Sequence, residues 1–396
     1  MFESFFAENY GAAVACFFTF AIVVGVLATL VTKFAVTIKD KAELPDGVIG
    51  GILIGAITSV PEFITAIGYT INAATIGPEY GNPGAVFGDV IGSNMFCMLI
   101  IGVACLATVW IFRHREADQI NTITIICLIV GSVLCMLAVL FDNNGLIYGK
   151  NSPTGKISPV VWHGFNLFSI FIFLSYAIAV LFMFVGGKIK PAAVIGKGMK
   201  TTTKLPDKQM KAASAFMKLD MAPLILLLIL GIAVLTFSSL MLAGSCSGCI
   251  VKWFPGDATF GRTLLLGVAT SLPELIAVAT LAIDNRYNMM INSMAGSCAF
   301  NMTILFACNV AYACLWHEGL EPMFPMPKDQ NSVMVQVVMF ILMCVFFSLY
   351  LILNSKSIKG KLRRNQIIAT NVSLLTIVIG CYLTYMILGL VQNTSV

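Results

Sequence analysis

Apolar runs long enough to cross a lipid bilayer recur along the whole chain. A spanning helix needs about 20 predominantly apolar residues. Ten stretches qualify, at approximately 10–32, 46–72, 84–112, 121–141, 160–186, 221–244, 261–283, 287–316, 333–354 and 366–391. Of the 396 residues, 58% are hydrophobic and only 11% charged, and the mean hydropathy is +0.91. A soluble domain carries about 25% charge, so a soluble fold is excluded. Disorder is excluded too, since it needs low hydrophobicity and high charge. No soluble basic domain is present to bind nucleic acid. The fold class expected is an all-α polytopic membrane protein with ten transmembrane helices in the lipid bilayer.

The basic residues orient those helices. With the N-terminus outside, 19 of the 24 Lys and Arg fall in inner loops. These are Lys33, Lys39, Lys41, Arg113, Arg115, the lysines from Lys188 to Lys218, Arg286, and the run Lys356, Lys359, Lys361, Arg363 and Arg364. That split follows the positive-inside rule and places both termini outside; the location expected is the cell membrane. The opening MFESFFAENY has Glu3 and Glu8 and no basic residue, so the first run reads as a retained helix rather than a cleaved signal. Residues 187–220 form a Lys-rich cytoplasmic linker between two halves, 1–186 and 221–396. Its second part, 207–218, reads as a solvated linker or as an amphipathic helix on anionic lipid. Most of the 12 cysteines lie in apolar runs as small hydrophobes. Cys246 and Cys249 form a C-x-x-C expected in a short loop, as a disulfide, a metal clip or plain loop residues.

The two halves share a repeat. Residues 55–63 read GAITSVPEF and residues 267–275 read GVATSLPEL. Residues 92–98 read GSNMFCM and residues 296–302 read GSCAFNM. Each half thus carries the same two words in the same order, in its second and third apolar stretches. Five is an odd number of spans, so the second half inserts upside down, the inverted-repeat plan of secondary transporters.

Three acids fall inside the spans: Glu62, Asp89 and Glu274. Glu62 and Glu274 land near the midplane, where a charge costs about 3 kcal/mol on insertion scales. No Lys or Arg lies deep in a span to compensate, so the expected partner is a bound cation or a proton. Thr58 and Ser59 precede Glu62 by four and three residues and share its helix face; Thr270 and Ser271 repeat this before Glu274. Pro61 and Pro273 lack an N–H and should break each helix, freeing backbone oxygens. Carboxylates, hydroxyls and carbonyls form a hard oxygen cage suited to Ca²⁺, which takes 6–8 oxygens at about 2.4 Å. Ser93, Ser297 and Asn301 would finish the cage from the opposite wall. Gly92 and Gly296 read as close-packing residues. Asn94 and Cys298 should point elsewhere, toward the broken helices. Asp89, one turn outward from Ser93, reads as a carboxylate at the site's mouth or as a protonated structural group.

The paired words T-S-x-P-E and G-S-x-x-F resemble the two alpha repeats of the cation/calcium antiporter superfamily, specifically its sodium/calcium exchanger branch. The repeats cover about 47–110 and 259–314. The resemblance implies two inverted five-helix repeats around one central cavity, opened alternately to each side. Carried over, Glu62 and Glu274 are the shared carboxylates, and Thr58, Ser59, Thr270 and Ser271 are hydroxyl or carbonyl ligands. Ser93 and Ser297 serve sodium sites, Asn301 faces the central site, and the backbones of Gly55 and Gly267 donate carbonyls. Cys97 stands where the family has Asn or Asp, and a thiol is a poor ligand for hard cations. Asn301 replaces the Asp expected of the potassium-dependent branch, and the proton-coupled branch's Asn before the Glu is absent. The function expected is sodium-for-calcium antiport, with Ca²⁺ and Na⁺ as substrates and no cofactor. The alternative is a proton-coupled or other divalent-cation exchanger using the same site. No H-E-x-x-H or G-x-S-x-G motif appears, so no enzyme is expected.

Overall fold

The structure is a computed structural model. It describes residues 9–44, 48–75, 83–112, 124–134, 137, 161–162, 165–189, 216–253, 267–315, 330–354 and 364–394. Apolar sequence in lipid must satisfy its backbone internally, which helices do within one segment. The described chain is accordingly almost all helical. The helices are α1 (Tyr10–Ala42), a π-helical stretch (Val48–Ile54), α2 (Gly55–Thr58), α3 (Val60–Thr75), α4 (Pro83–Phe112), α5 (Thr124–Leu134) and α6 (Phe168–Ile189). They continue with α7 (Met221–Trp253), α8 (Gly267–Thr270), α9 (Leu272–Ile283), α10 (Tyr287–Cys314), α11 (Gln330–Leu353) and α12 (Arg364–Thr394). A two-residue antiparallel ladder, β1 (Val161–Trp162) with β2 (Phe165–Asn166), precedes α6.

Six of these helices are long and apolar enough to cross a membrane, and a seventh span forms if Gly50–Thr58 and Val60–Gly68 are taken together across their 46° bend. Shorter apolar helices occupy 124–134, 168–182 and 272–283 within the described residues. The chain is an integral membrane protein.

Several boundaries differ from the sequence reading. The first stretch stays helical to Ala42, so Lys33, Lys39 and Lys41 lie on α1 rather than in a loop. At 33 residues α1 is about 50 Å long. That exceeds a hydrocarbon core of about 30 Å, so its basic end reaches water without leaving the helix. The fifth stretch begins with the short ladder, and its helix starts only at Phe168. Cys246 and Cys249 are free and lie within α7, not in a loop. As i and i+3 residues of a helix they pack as small hydrophobes. The Lys-rich segment lies outside the described residues, apart from 187–189 and 216–220.

Packing has two tiers. α4 and α10 cross at the centre, and α10 touches the π-helical stretch, α2, α3, α4, α6 and α9. α1 and α7 pack mainly on each other and flank that bundle, while α11 and α12 pair on α4. Burial follows this order: 72% of the apolar stretch of α10 is buried, against 17% for α1.

Candidate cation site

Each T-S-x-P-E word breaks its helix at the serine. Ser59 (φ −92°, ψ 1°) separates α2 from α3, and Ser271 (φ −86°, ψ 10°) separates α8 from α9. Proline two residues later supplies no N–H to continue the ladder. The ends are tidied alike on both sides. The Phe63 N–H bonds the Ser59 carbonyl at 3.0 Å and the Leu275 N–H the Ser271 carbonyl at 3.1 Å. Thr58 Oγ1 donates to the Ile54 and Gly55 carbonyls at 3.0 and 3.2 Å, and Thr270 Oγ1 to the Gly267 carbonyl at 3.3 Å. Both threonine hydroxyls thus tie back to carbonyls of their own broken helices.

The breaks put Glu62 and Glu274 in the first turns of α3 and α9, each only 2% exposed. Their neighbours come from both halves, in a crossed arrangement. Ser93 Oγ, on α4, lies 3.1 Å from Glu62 Oε1 and 2.9 Å from Ser271 Oγ. Ser297 Oγ, on α10, lies 3.3 Å from Glu274 Oε1 and 2.6 Å from Ser59 Oγ. Ser59 Oγ also reaches Glu274 Oε1 at 3.1 Å. Each half's broken helix thus meets the other half's G-S word. Asn301 donates to Asn94 Oδ1 at 3.1 Å and to Ser93 Oγ at 3.4 Å.

This cluster has more acceptors than protons. A serine hydroxyl carries one proton and an ionised carboxylate none. Ser59, Ser297 and Glu274 make three mutual contacts with two hydroxyl protons among them. Glu62 Oε2, Glu274 Oε2 and Asn301 Oδ1 are buried without any hydrogen-bond donor among the described residues. Burying unpaired acceptors costs free energy unless a cation or proton meets them. The described residues hold no group of three or more His, Cys, Asp and Glu suited to a metal. The available donors are therefore mainly carboxylate, hydroxyl and amide oxygens, a set that favours hard cations.

The remaining sequence candidates fall around this centre. Cys97 is fully buried on α4, four residues past Ser93, where Asn301 stands four past Ser297 on α10. Asp89 is half-buried one turn before Ser93, and no hydrogen bond or ion pair reaches it among the described residues. Pro61 and Pro273 lie just beyond the breaks. Asn94 and Cys298 do not bond the broken helices. Asn94 Nδ2 donates to the Cys298 carbonyl at 3.2 Å, and Cys298 Sγ to the Asn94 carbonyl at 3.8 Å. The two residues clasp α4 to α10 where these helices cross. Asn94 also orients Asn301, a role the motif did not reveal. The available signal was its depth: an amide inside an apolar helix must find partners.

Comparison with known proteins identifies the family and the fold. The family described as "sodium/calcium exchanger protein" matches residues 12–185 and 223–388. No curated protein gives a significant match. Among solved structures, the sodium-calcium exchanger NCX_Mj soaked with 100 mM Na⁺ and 10 mM Sr²⁺ superposes with a TM-score of 0.56 at 16% identity, over 93% of this chain and 97% of that one. The same exchanger soaked with zero Na⁺ and Ca²⁺ gives 0.53 at 17% identity, over 93% and 98%. At such identity the likeness establishes the shared fold. The family match spans both halves and most of the chain: the protein belongs to the sodium/calcium exchanger family.

Proposed function

We propose that the chain is a secondary antiporter that exchanges Na⁺ for Ca²⁺ across a membrane by alternating access at the Glu62–Glu274 site. The observation that carries this reading is the pair of buried carboxylates, each with one oxygen lacking a donor. The architecture is ten spans in two inverted repeats, 1–186 and 221–396, with both termini outside. The basic end of α1 and the turn before α10 that carries Arg286 face the cytoplasm. Glu62 and Glu274 take the calcium. Ser59 and Ser271 contribute hydroxyls, Thr58, Thr270, Gly55 and Gly267 contribute backbone carbonyls, and Ser93, Ser297 and Asn301 line the sodium and central positions.

The charges set the transport logic. One Ca²⁺ neutralises two carboxylates. Three Na⁺ in the same oxygens leave one excess positive charge, and exchange is then electrogenic, worth about 2.3 kcal/mol per 100 mV for each net charge moved. An empty dianionic core is too costly to carry through the apolar centre, which enforces exchange over leak.

The test is calcium flux in reconstituted vesicles with and without a sodium gradient. Sodium-dependent flux is expected, abolished by Glu62→Gln and by Glu274→Gln in protein that still folds. Normal flux in both variants refutes the site. One observation favours a second reading. The buried Cys97 thiol stands where Asn301 stands in the other half, so the oxygen set is one donor poorer on that side. Calcium flux driven by a pH gradient without sodium would select the proton-coupled or other divalent exchanger instead.

A further inference from the structure

We propose that the Asp40–Arg286 ion pair is a latch that biases which face of the membrane the site opens to. The proposal rests on the antiport reading above. Arg286 Nη2 lies 2.6 Å from Asp40 Oδ2 and Nη1 3.0 Å from Asp40 Oδ1, a two-pronged contact. It joins two different bodies. Asp40 sits near the end of α1, which packs mainly on α7. Lys41 Nζ bonds the Leu219 carbonyl, and Phe34 meets Phe216 edge to face at 5.1 Å, so the approach to α7 is tied to α1. Arg286 belongs instead to the turn between α9 and α10, inside the central bundle.

The backbone on both sides of the pair is unusually constrained. Among the described residues, Glu43 (φ 53°) and Asn285 (φ 57°) are the non-glycine residues with positive φ. Each ends a helix in the same way. The Leu44 N–H bonds the Lys39 carbonyl at 3.1 Å, and the Arg286 N–H bonds the Leu281 carbonyl at 2.8 Å. Both are six-to-one closures around a left-handed residue, normally a place for glycine. Strain of this kind persists where the surroundings fix it. Here it stops α1 two residues past Asp40 and begins α10 directly after Arg286, holding both partners in register.

The pair is also suited to release. The side chains are 32% and 25% exposed, so water can take over both charges at modest cost. Lys39 Nζ lies 3.5 Å from Asp40 and remains its partner when Arg286 leaves. Deeper in the same interface, a Cβ at Gly25 of α1 would touch only Ile276 Cδ1 among the described residues, at 4.0 Å. Sliding α1 and α7 along the bundle therefore meets little interlocking there and breaks the ion pair at the basic end.

The decisive experiment is a charge swap in vesicles of known orientation, with half-saturating calcium measured from each side. Asp40→Arg and Arg286→Asp are each expected to lower that value about threefold to fivefold on the basic face and raise it on the other, as a population shift requires. The double variant should return both values to those of the unmodified protein. Hydrogen exchange at the amides of residues 40–44 and 284–290 is an independent readout, faster in each single variant and restored in the swap. Asp40→Asn, which removes charge without reversing it, should give a smaller shift in the same direction. Unchanged sided affinities with unchanged exchange, or a swap that fails to restore both, overturn the latch. If the unmodified vesicles carry no calcium, the antiport reading fails while the exchange readout still decides whether the pair tethers α1 to the bundle.

Discussion

The two broken helices carry the same word yet meet opposite surroundings. A Cβ added to Gly55 would lie 2.6 Å from the Ser297 nitrogen, 2.8 Å from the Ser293 carbonyl and 2.9 Å from the Gly296 carbonyl carbon. Gly50 is similarly placed against the Met289 carbonyl, at 2.8 Å. A Cβ on Gly296 would fall within the Gly51 carbonyl. The first half's broken helix is thus pressed backbone to backbone on α10. Gly267 occupies the same place in the second word, and a Cβ there would meet nothing within 4 Å among the described residues. Repeated sequence has produced one sealed contact and one that no described residue closes. Under the antiport proposed above, one tight contact and one that no described residue closes are what a single state of the cycle would show.

Substitutions at these glycines give the largest structural effects. Gly296→Ala forces backbone against backbone, which no rotamer change relieves, and should destabilise the protein by about 3 kcal/mol or more. The readout is thermal unfolding in detergent, and a near-normal midpoint would show that the π-helical stretch can retreat from α10. Gly55→Ala meets contacts of 2.6–2.9 Å and should cost about 2 kcal/mol by the same measurement. Asn94→Ala removes the Asn301 partner and one half of the clasp to Cys298. Leaving those groups unpaired should cost about 1–2 kcal/mol and weaken calcium binding, measured by titration of the purified protein. Binding at the original affinity would mean that Asn301 holds its orientation without Asn94.

Much of the geometry of this candidate site is legible in the sequence because its signals are local. Glu62 and Glu274 stood out as uncompensated acids in apolar stretches, and Pro61 and Pro273 marked where helices must break. The crossed pairing of Ser59 with Ser297 and of Ser93 with Ser271 was not legible, because it depends on how α4 and α10 cross rather than on spacing along either helix. The end of α1 was misplaced for a different reason. Lys33, Lys39 and Lys41 look like loop residues by hydropathy, yet lysine is a good helix former and its charge reaches water from a helix that outruns the bilayer. Cys246 and Cys249 misled through their spacing, which fits a helical turn as well as a metal knuckle. The unequal packing of Gly55 and Gly267 had no sequence signal at all, since their surrounding words are the same.

That inequality makes Gly267→Ala the smallest perturbation of the fold and a sharp probe of the cycle. No described residue lies within 4 Å of the added methyl, so the unfolding midpoint should shift by less than about 0.5 kcal/mol equivalent. Transport asks for more than this state. If the halves exchange roles during turnover, Gly267 must approach Gly92 and Ser93 on α4 as Gly55 approaches Gly296 and Ser297 here. The methyl would then obstruct only the opposite-facing state. The expected result is a normally folded protein whose calcium affinity is preserved while its maximal exchange rate falls several-fold. Full exchange activity in Gly267→Ala would locate the switching motion elsewhere. The central bundle would then keep one packing throughout, and the sliding of α1 and α7, with its ion pair at the basic end, would carry the whole change of access.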